Sequence, residues 1–370
     1  MKSMKKIIFF VDNLNQFGGI ERVTSSIANG LANHGYRILI INIRCGNKPF
    51  FKLNSSIQIK SLFQKPGRIW YKTPFIIFRL RRLIIEEKPD ILITVESMLA
   101  LFSVPATIGL SIRNICWEHL NFKVDLGRRV RRIARKIAAR YCDDIVTLTE
   151  QDKLLWIRGT NVKAQIHTIS DPCPFPVQIN HTPSENSRLV LAIGRLTYQK
   201  GFDLLLKAWE KVIKAEPGWR LRIVGSGPDE QYLKQLSSDL ELSKTVEFQP
   251  AISDVHSHYR EAGIFCLSSR FEGFAMVVVE AMAFGVPIVS FDCEAGPSEI
   301  LAGTGAALVP PENIEELANN ILRFIRDPFL RAAISKKEKI RAEEFQIDKI
   351  INHWVALLER SNKISKYQNK

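Results

Sequence analysis

The chain has 370 residues, of which 46% are hydrophobic and 24% charged, with 20 Gly and 17 Pro. This composition is typical of a globular protein and excludes the disordered, fibrous and collagenous classes, while the length predicts two domains. The charge is uneven: residues 1–180 contain 28 Lys and Arg against 13 Asp and Glu, a balance of +15, and residues 181–370 contain 24 against 25, a balance of −1. We therefore expect an anionic partner for the first half, either nucleic acid or an acidic membrane surface.

No apolar stretch is long enough to span a membrane or to form the core of a signal peptide. A spanning helix needs roughly 18 uninterrupted apolar residues, and the longest candidate, residues 98–112, is broken by Pro105. The apolar run at residues 7–11 stops at Asp12, which is too early for a signal peptide. These features predict a cytoplasmic protein.

The cysteines are widely spaced, with no C-x-x-C pair and no His at metal-ligand spacing. This pattern favours neither a disulfide framework nor a zinc site. We expect reduced core thiols at Cys45, Cys116, Cys142, Cys173, Cys266 and Cys293.

The first half alternates strand-like runs with helical stretches. A strand at residues 6–11 precedes a Gly-Gly turn and an amphipathic stretch at 20–33. Further strands are predicted at 36–43, 91–95, 114–117, 145–148 and 165–169. Such a series predicts a parallel sheet covered by helices.

A second series of strands and helices follows a segment with linker composition. Residues 171–187 contain four prolines and no periodicity. Strands are then predicted at 189–194, 219–225, 245–248, 264–267 and 286–291, with helices between and after them. The predicted fold is α/β, with two Rossmann-like, doubly wound domains facing each other across a cleft, and ligands are expected at the carboxyl ends of the strands.

The predicted domain boundaries follow from these two series. An N-terminal domain covers residues 1–170, a linker 171–187 and a C-terminal domain 188–344. The remainder, 345–370, is expected to be a helix that packs back on the first domain, followed by a basic tail.

Three motifs lie where a strand meets a helix. The first contains Gly18 and Gly19, which let the backbone approach a ligand closely at the positive end of the following helix. On its own this Gly-Gly turn is more often structural. The second contains Arg195 and Lys200, two cations able to hold a diphosphate without a metal; the alternative is solvated loop charges.

The third motif places two carboxylates eight positions apart. Glu272 falls in a loop and Glu280 inside the following apolar helix, whose Gly273-Phe274 start exposes backbone amides. Paired carboxylates suit vicinal hydroxyl groups. Glu280 requires a ligand or a cation, because an unpartnered carboxylate in an apolar helix is costly.

Taken together, G-G-x-E-R, G-R-L-x-x-x-K-G and E-G-F-x-x-x-x-x-E-A-M-A resemble family 4 of the retaining glycosyltransferases, over nearly the whole chain. The resemblance implies a GT-B fold, a nucleotide-diphosphate sugar donor, no required metal, and transfer with retention of anomeric configuration.

The resemblance also implies roles for residues in the donor site. Arg195 and Lys200 would hold the diphosphate, Glu272 would contact the donor sugar, and Glu280 would bind the ribose hydroxyls. Glu272 is assigned a binding and electrostatic role rather than that of a nucleophile.

In the first domain, Gly18 and Gly19 would face the donor diphosphate and the acceptor. His119 matches the family's strand-end histidine, which lies beside the transferred sugar. The family often has Asn-Pro in the hinge region, where this chain has Asp171-Pro172.

The segment Trp117-Glu118-His119, together with Asp171-Pro172-Cys173-Pro174-Phe175, more narrowly resembles bacterial transferases that extend O-antigen, capsule or exopolysaccharide on lipid-diphosphate carriers. This implies transfer of a hexose or N-acetylhexosamine to an undecaprenyl-diphosphate glycan, with UDP the first choice of nucleotide and GDP the second. No Asp-x-Asp occurs, so no cofactor or metal is expected; Asp143-Asp144 is interpreted as a turn before a strand.

Two predicted helices indicate which surface of the basic residues 1–180 would contact an anionic partner. In residues 126–141, Leu126, Val130, Ile133, Ile137 and Tyr141 form a stripe expected to face the core. The other faces are basic, with Arg128, Arg129, Arg131, Arg132, Arg135, Lys136 and Arg140.

The second helix, residues 75–85, has a core stripe, whereas Phe75, Phe78 and Ile85 project beside arginines. Arginines mixed with exposed apolar side chains suit the cytoplasmic face of an anionic membrane, where Arg128, Arg129, Arg131, Arg132, Phe75 and Phe78 would bind. The alternative is that the apolar side chains pack under a loop.

Two other classes of function remain open. A nucleic-acid-binding protein could use the same basic charge, but no recognised reader motif occurs. A nucleotide-sugar epimerase of similar fold would convert the donor without an acceptor and would release no nucleotide diphosphate in proportion to transfer.

Overall fold

The strand-like runs form two separate parallel sheets. The computed structural model describes residues 4–16, 18–44, 46, 48–64, 72–252 and 254–360. The chain divides into unit 1, which comprises Met1–Pro172 with Ile347–Lys370, and unit 2, Cys173–Gln346. The predicted linker therefore falls largely in unit 2, and the C-terminal helix belongs to unit 1.

The described part of unit 1 has one seven-stranded parallel sheet with the order β3-β2-β1-β4-β5-β6-β7. The strands are β1 (Lys6–Val11), β2 (Arg37–Asn42), β3 (Gln58–Ser61), β4 (Ile91–Val95), β5 (Arg113–Trp117), β6 (Asp144–Thr147) and β7 (Gln165–Thr168). Every residue of β4 and β5 is buried, because helices cover both faces of the sheet.

The helices of unit 1 include one from the far end of the chain. They are α1 (Gly19–Asn33), α2 (Thr73–Glu87), α3 (Ala100–Thr107), α4 (Arg129–Tyr141), α5 (Glu150–Gly159) and α13 (Ile347–Glu359). Trp354 of α13 is fully buried against Trp117, with ring centroids 4.9 Å apart. Ile351 packs directly on α1 at Gly30, where a Cβ would collide with it.

Unit 2 has a six-stranded parallel sheet, within the described residues, in the order β10-β9-β8-β11-β12-β13. Its strands are β8 (Leu189–Ile193), β9 (Arg220–Val224), β10 (Val246–Gln249), β11 (Ile264–Leu267), β12 (Ile288–Phe291) and β13 (Ala307–Val309). Its helices are α6 (Phe202–Ala215), α7 (Glu230–Asp239), α8 (His256–Glu261), α9 (Met276–Ala283), α10 (Pro297–Ile300), α11 (Ile314–Arg326) and α12 (Pro328–Ala342).

Each sheet has a point where the strand order reverses direction. In unit 1, β1 lies between β2 and β4, and in unit 2, β8 lies between β9 and β11. The connections leave opposite faces of the sheet on the two sides of such a point, so a crevice opens at the carboxyl ends of the strands. The loops after β1, β4, β8 and β11 therefore border the two expected ligand crevices.

The structure overturns the predicted orientation of α4. The expected core residues Leu126, Ile133 and Tyr141 are 51%, 54% and 57% exposed. Leu126 precedes the helix, which begins at Arg129. The buried face instead carries Ala134, Ala138 and Ala139, whose small side chains allow close packing, together with Arg131 and Arg135.

Arg131 was therefore wrongly predicted as a membrane-binding residue. Its side chain is only 9% exposed and forms an ion pair with Glu96, so it is not available to a surface. Arg128, Arg129 and Arg132 are exposed, as predicted.

Helix α2 buries Ile76, Leu80 and Ile84, and it exposes Phe75 and Phe78 by 63% and 66%. The expected core and solvent faces are both observed. None of the helices in the described ranges has both the length and the apolar character needed to cross a bilayer.

The sequence did not predict β3, α3, α5 or β13, each of which has 10 residues or fewer. Cys116, Cys142, Cys173, Cys266 and Cys293 are buried free thiols, and Cys45 lies outside the described residues. Burial raises the pKa of Cys116, Cys142, Cys266 and Cys293, so these thiols stay protonated.

Candidate active site

The loops after β8 and β11 pack against each other at the reversal point of unit 2. Gly201 has φ = +61°, and a Cβ there would collide with the carbonyl oxygen of Ser268. The Ser268 hydroxyl donates a hydrogen bond to the Lys200 carbonyl oxygen at 2.9 Å. Glycine is thus required at position 201 both for its conformation and for the close approach.

The structure brings together two residues that the sequence assigned to different motifs. Lys200 Nζ lies 2.7 Å from Glu272 Oε1, which also accepts a hydrogen bond from the Ser269 hydroxyl at 2.6 Å. Glu272 is buried, so the lysine compensates a charge that would otherwise be costly. A bound diphosphate would compete with Glu272 for the lysine.

Arg195 lies at the solvent-exposed end of the same loop. Its side chain makes no hydrogen bond or ion pair within the described part of the chain. It is therefore available to an incoming anion.

Arg270 connects the two loops and was not identified from the sequence. Its guanidinium binds the Asp203 carboxylate through two hydrogen bonds of 2.8 and 2.7 Å, and it donates a third to the Tyr198 carbonyl oxygen at 2.8 Å. It also lies 4.0 Å from the Tyr198 ring centroid. Burial would raise the pKa of Asp203, but the bonds from Arg270 hold it below its usual value. Arg270 therefore fixes the loop that carries Arg195 and Lys200.

Glu280 lies in α9 and is 6% exposed. It accepts a hydrogen bond of 2.8 Å from the hydroxyl of Tyr259, which is fully buried and stacks on Phe284. The Tyr259 hydroxyl is thus one partner of this carboxylate, and the predicted contact with a ligand or a cation stays a prediction.

The segment before α9 connects Glu272 to the helix. Phe274 is buried and packs against Phe345, with ring centroids 5.8 Å apart, while Gly273 is partly exposed. The helix begins at Met276 with Ala275 as its N-cap, so Gly273 and Phe274 lie in the loop just before it.

In unit 1, the Gly-Gly turn leads into α1 as expected. Gly18 is the N-cap residue, with extended backbone, and Gly19 is the first residue of the helix. The Glu21 carboxylate lies where a Cβ of Gly18 would be, whereas a Cβ at Gly19 would meet no atom within 4 Å. The neighbouring Phe17 lies outside the described residues.

His119 lies in the loop after β5 and is 7% exposed. Its Nδ1 is 3.6 Å from Asp171 Oδ2, and its ring packs on Trp117 with centroids 4.4 Å apart. Its Nε2 atom is buried and makes no hydrogen bond to the described residues. The Asp171 carboxylate therefore lies next to the His119 ring.

Arg131 and Arg135 of α4 form ion pairs with Glu96 and Glu118, the residues that directly follow β4 and β5. Arg135, only 1% exposed, lies 3.2 Å from Glu118 and donates hydrogen bonds to the carbonyl oxygens of Asn121, Phe122 and Val124. Glu118 Oε1 in turn accepts from the backbone amide of His119 at 3.1 Å. The loop carrying His119 is therefore fixed by a buried ion pair.

No cluster of three or more His, Cys, Asp or Glu side chains is placed to hold a metal ion in the described ranges. Metal independence itself stays a prediction.

The chain matches two domain families in succession. Residues 17–172 match Glycosyltransferase Family 4, and residues 177–341 match Glycosyl transferases group 1. It is 38% identical over 356 residues to an uncharacterized glycosyltransferase of Haemophilus influenzae, an alignment that covers 96% of this chain and all of that protein. The chain therefore belongs to the glycosyltransferases.

Two further relatives have more specific names. The amylovoran biosynthesis glycosyltransferase AmsD of Erwinia amylovora is 26% identical, over 96% of this chain and all of that protein. The Campylobacter jejuni GalNAc-α-(1→4)-GalNAc-α-(1→3)-diNAcBac-PP-undecaprenol α-1,4-N-acetyl-D-galactosaminyltransferase is 28% identical, over 96% of this chain and 98% of that protein. The chain is thus related to glycosyltransferases of bacterial polysaccharide synthesis.

Solved structures show the same fold. The chain matches sucrose-phosphate synthase from Thermosynechococcus elongatus with a TM-score of 0.83 and 18% identity, over 96% of this chain and 98% of that one. It matches Anabaena HepE, solved with UDP and glucose, with a TM-score of 0.78 and 20% identity, over 96% and 99%. The predicted GT-B class of two Rossmann-like units is confirmed.

The burial of Arg135 predicts a large difference between two neighbouring arginines. Arg135→Met should lower the free energy of unfolding by about 3–5 kcal/mol, because it leaves Glu118 buried without its cation. The control Arg132→Met, at a position 61% exposed, should change it by less than about 0.5 kcal/mol. Urea unfolding monitored by circular dichroism measures both, and equal losses would contradict the assigned role of the Arg135 pair.

Proposed function

We propose that the chain transfers a hexose or N-acetylhexosamine from a nucleotide-diphosphate sugar, with UDP the favoured nucleotide, to a lipid-linked oligosaccharide of a bacterial surface polysaccharide. The observation that carries the proposal is the Lys200–Glu272 pair, formed by the loop that also carries Arg195, at the reversal point of unit 2. The names of the Campylobacter jejuni relative, with its undecaprenol-linked acceptor, and of HepE, solved with UDP, support the acceptor and donor classes.

The cations would act on the leaving group. When the bond between the anomeric carbon and the β-phosphate oxygen breaks, its electron pair stays on that oxygen and negative charge grows there. Arg195 and Lys200 would stabilise this charge more in the transition state than in the ground state. Glu280 would bind the ribose hydroxyls, and Glu272 would contact the donor sugar.

The proposed stereochemistry is retention. The acceptor hydroxyl oxygen would bond to the anomeric carbon on the face that the phosphate leaves, and the hydroxyl proton would pass to the leaving phosphate. Glu272 is assigned no nucleophilic role in this proposal, and Lys200 and Ser269 both hold its Oε1. An electrostatic role for Glu272 is consistent with those contacts.

Variants of the donor site should separate binding from chemistry. Glu280→Gln should weaken UDP binding, because the ribose would lose a charged acceptor. Arg195→Ala and Lys200→Ala should lower kcat more than they raise the donor KM, because their partner charge develops in the transition state. Thermal shift with UDP and steady-state kinetics measure these effects; unchanged kinetics in all three variants would refute the assignment.

Transfer should continue in EDTA. Fixed cations would do the work that a bound metal does in other diphosphate sites, so chelation removes nothing the reaction needs. The measurement is the initial rate of UDP release, with acceptor, before and after dialysis against EDTA. Loss of activity that Mg²⁺ or Mn²⁺ restores would show a metal-bridged diphosphate.

The same proposal places the enzyme on the cytoplasmic face of the membrane, where a lipid-linked acceptor is reached. The basic surface of α4 contains Arg128, Arg129, Arg132, Lys136 and Arg140, all exposed. Leu126, Ile133 and Tyr141 are exposed on or beside the same helix. Basic residues near an anionic surface contribute about 1 kcal/mol each, and exposed apolar groups add an insertion component.

Liposome co-sedimentation tests the membrane proposal. Changing Arg128, Arg129, Arg132 and Lys136 to Glu should abolish binding to anionic vesicles, and salt should weaken wild-type binding because the Debye length is about 8 Å at physiological ionic strength. Phe75→Ser with Phe78→Ser should reduce the part of the binding that resists salt.

A matched control makes the same charge change on exposed positions of unit 2, at Lys214, Arg220, Lys234 and Lys244. It should leave sedimentation unchanged. If the wild type is indifferent to lipid charge, the basic surface has another partner, and binding to nucleic acid is measured next.

A further inference from the structure

Several buried polar atoms at the strand ends of unit 1 lack hydrogen-bond partners among the described residues. Three of them belong to neighbouring loops and the start of α4: His119 Nε2, Arg131 Nε and Asp171 Oδ1. Arg131 also holds the Glu96 carboxylate through an ion pair to its Oε1. Buried polar groups are nearly always hydrogen-bonded, so a cluster without partners indicates a missing ligand.

These atoms converge on one end of the sheet. Glu96 directly follows β4, and its amide donates a 2.7 Å hydrogen bond to the carbonyl of Trp117, the last residue of β5. His119 follows Trp117 by two residues in the sequence. Because β4 borders the reversal point of unit 1, Glu96 lies at the crevice expected to bind a ligand.

The backbone of Glu96 is strained. Its φ is 79° and its ψ 131°, a conformation that a residue with a side chain rarely adopts. Strained residues of this kind cluster at functional sites. The side chain remains 22% exposed, so a ligand can reach the carboxylate.

The mixture of groups identifies the ligand chemistry. Two carboxylates repel a phosphate, and an arginine beside a histidine repels a metal ion. Glu96 and Asp171 offer hydrogen-bond acceptors, and Arg131 offers a hydrogen-bond donor. The ring nitrogen of His119 can act as a donor or as an acceptor. Adjacent sugar hydroxyls, each both donor and acceptor, match such a set.

We propose that Glu96, supported by Arg131, binds hydroxyl groups of the acceptor carbohydrate beside His119 in unit 1. This inference rests on the proposed glycosyl transfer and adds to it the residue that recognises the acceptor sugar. Arg131 is a positioning residue, because it holds the Glu96 carboxylate and would orient its other oxygen toward the ligand.

Saturation-transfer NMR on the full chain with bound UDP tests the proposal. The probes are the methyl α-glycosides of glucose, galactose, N-acetylglucosamine and N-acetylgalactosamine at millimolar concentration. At least one glycoside should bind the wild type. Glu96→Ala should weaken it about tenfold or more, the magnitude expected when a charged hydrogen bond is lost.

Two further variants keep the result interpretable. Glu96→Gln preserves the shape of the side chain and a hydrogen bond to Arg131, so it should fold like the wild type and bind the glycoside with intermediate affinity. Glu86→Ala removes an exposed carboxylate of α2, 47% exposed, and should leave glycoside binding unchanged. UDP binding should be the same in every variant.

The outcomes separate this inference from the proposed function. If the protein binds UDP but no glycoside, or if Glu96→Ala binds the glycoside as tightly as the wild type, the acceptor site is overturned and the donor site stands. If no nucleotide shifts the unfolding temperature of the wild type, the proposed function fails first.

Discussion

Three carboxylates, buried or partly buried at the carboxyl ends of parallel strands, are each paired with a cation, and that pairing shapes both units. Glu96 pairs with Arg131, Glu118 with Arg135, and Glu272 with Lys200. A carboxylate removed from water without a partner is penalised by several kcal/mol, so another helix or loop must deliver a basic residue to a defined point. In unit 1 the pairing turns α4 so that two arginines face inward. In unit 2 it holds the loop after β8 against the loop after β11.

The two units use different cations, with different consequences. Arg135 makes one ion pair and three hydrogen bonds to backbone carbonyls, so its planar guanidinium is fully committed to the architecture. Lys200 holds Glu272 through a compact ammonium on a flexible chain, and it can exchange one anion for another at little geometric cost. A rigid frame around His119 and an exchangeable cation at Lys200 fit the proposed binding and release of a nucleotide-diphosphate sugar.

Local patterns were sufficient for the βα alternation, because each strand is a short β-branched run and each major motif lies directly after one. They failed for α4, where a helical stripe of Leu126, Ile133 and Tyr141 indicated a core face. The partners that reverse its orientation, Glu96 and Glu118, lie 35 and 17 residues away from their arginines. The hydrophobic periodicity within one helix contains no information about such a distant pairing. Arg270 and Tyr259 were missed for the same reason, since their roles depend on contacts between different loops and helices.

The return of α13 to unit 1 has a consequence for biosynthesis. Because Trp354 is buried against Trp117, the core of unit 1 is complete only after about 350 residues have been translated, although its seven strands are finished by Thr168. Unit 2 is in effect an insertion, and all of its residues leave the ribosome before the last helix of unit 1. Domains generally fold as units during synthesis, so unit 2 is free to fold while unit 1 still lacks a helix on one face of its sheet. Unit 1 can therefore complete its core only after α13 has been synthesised.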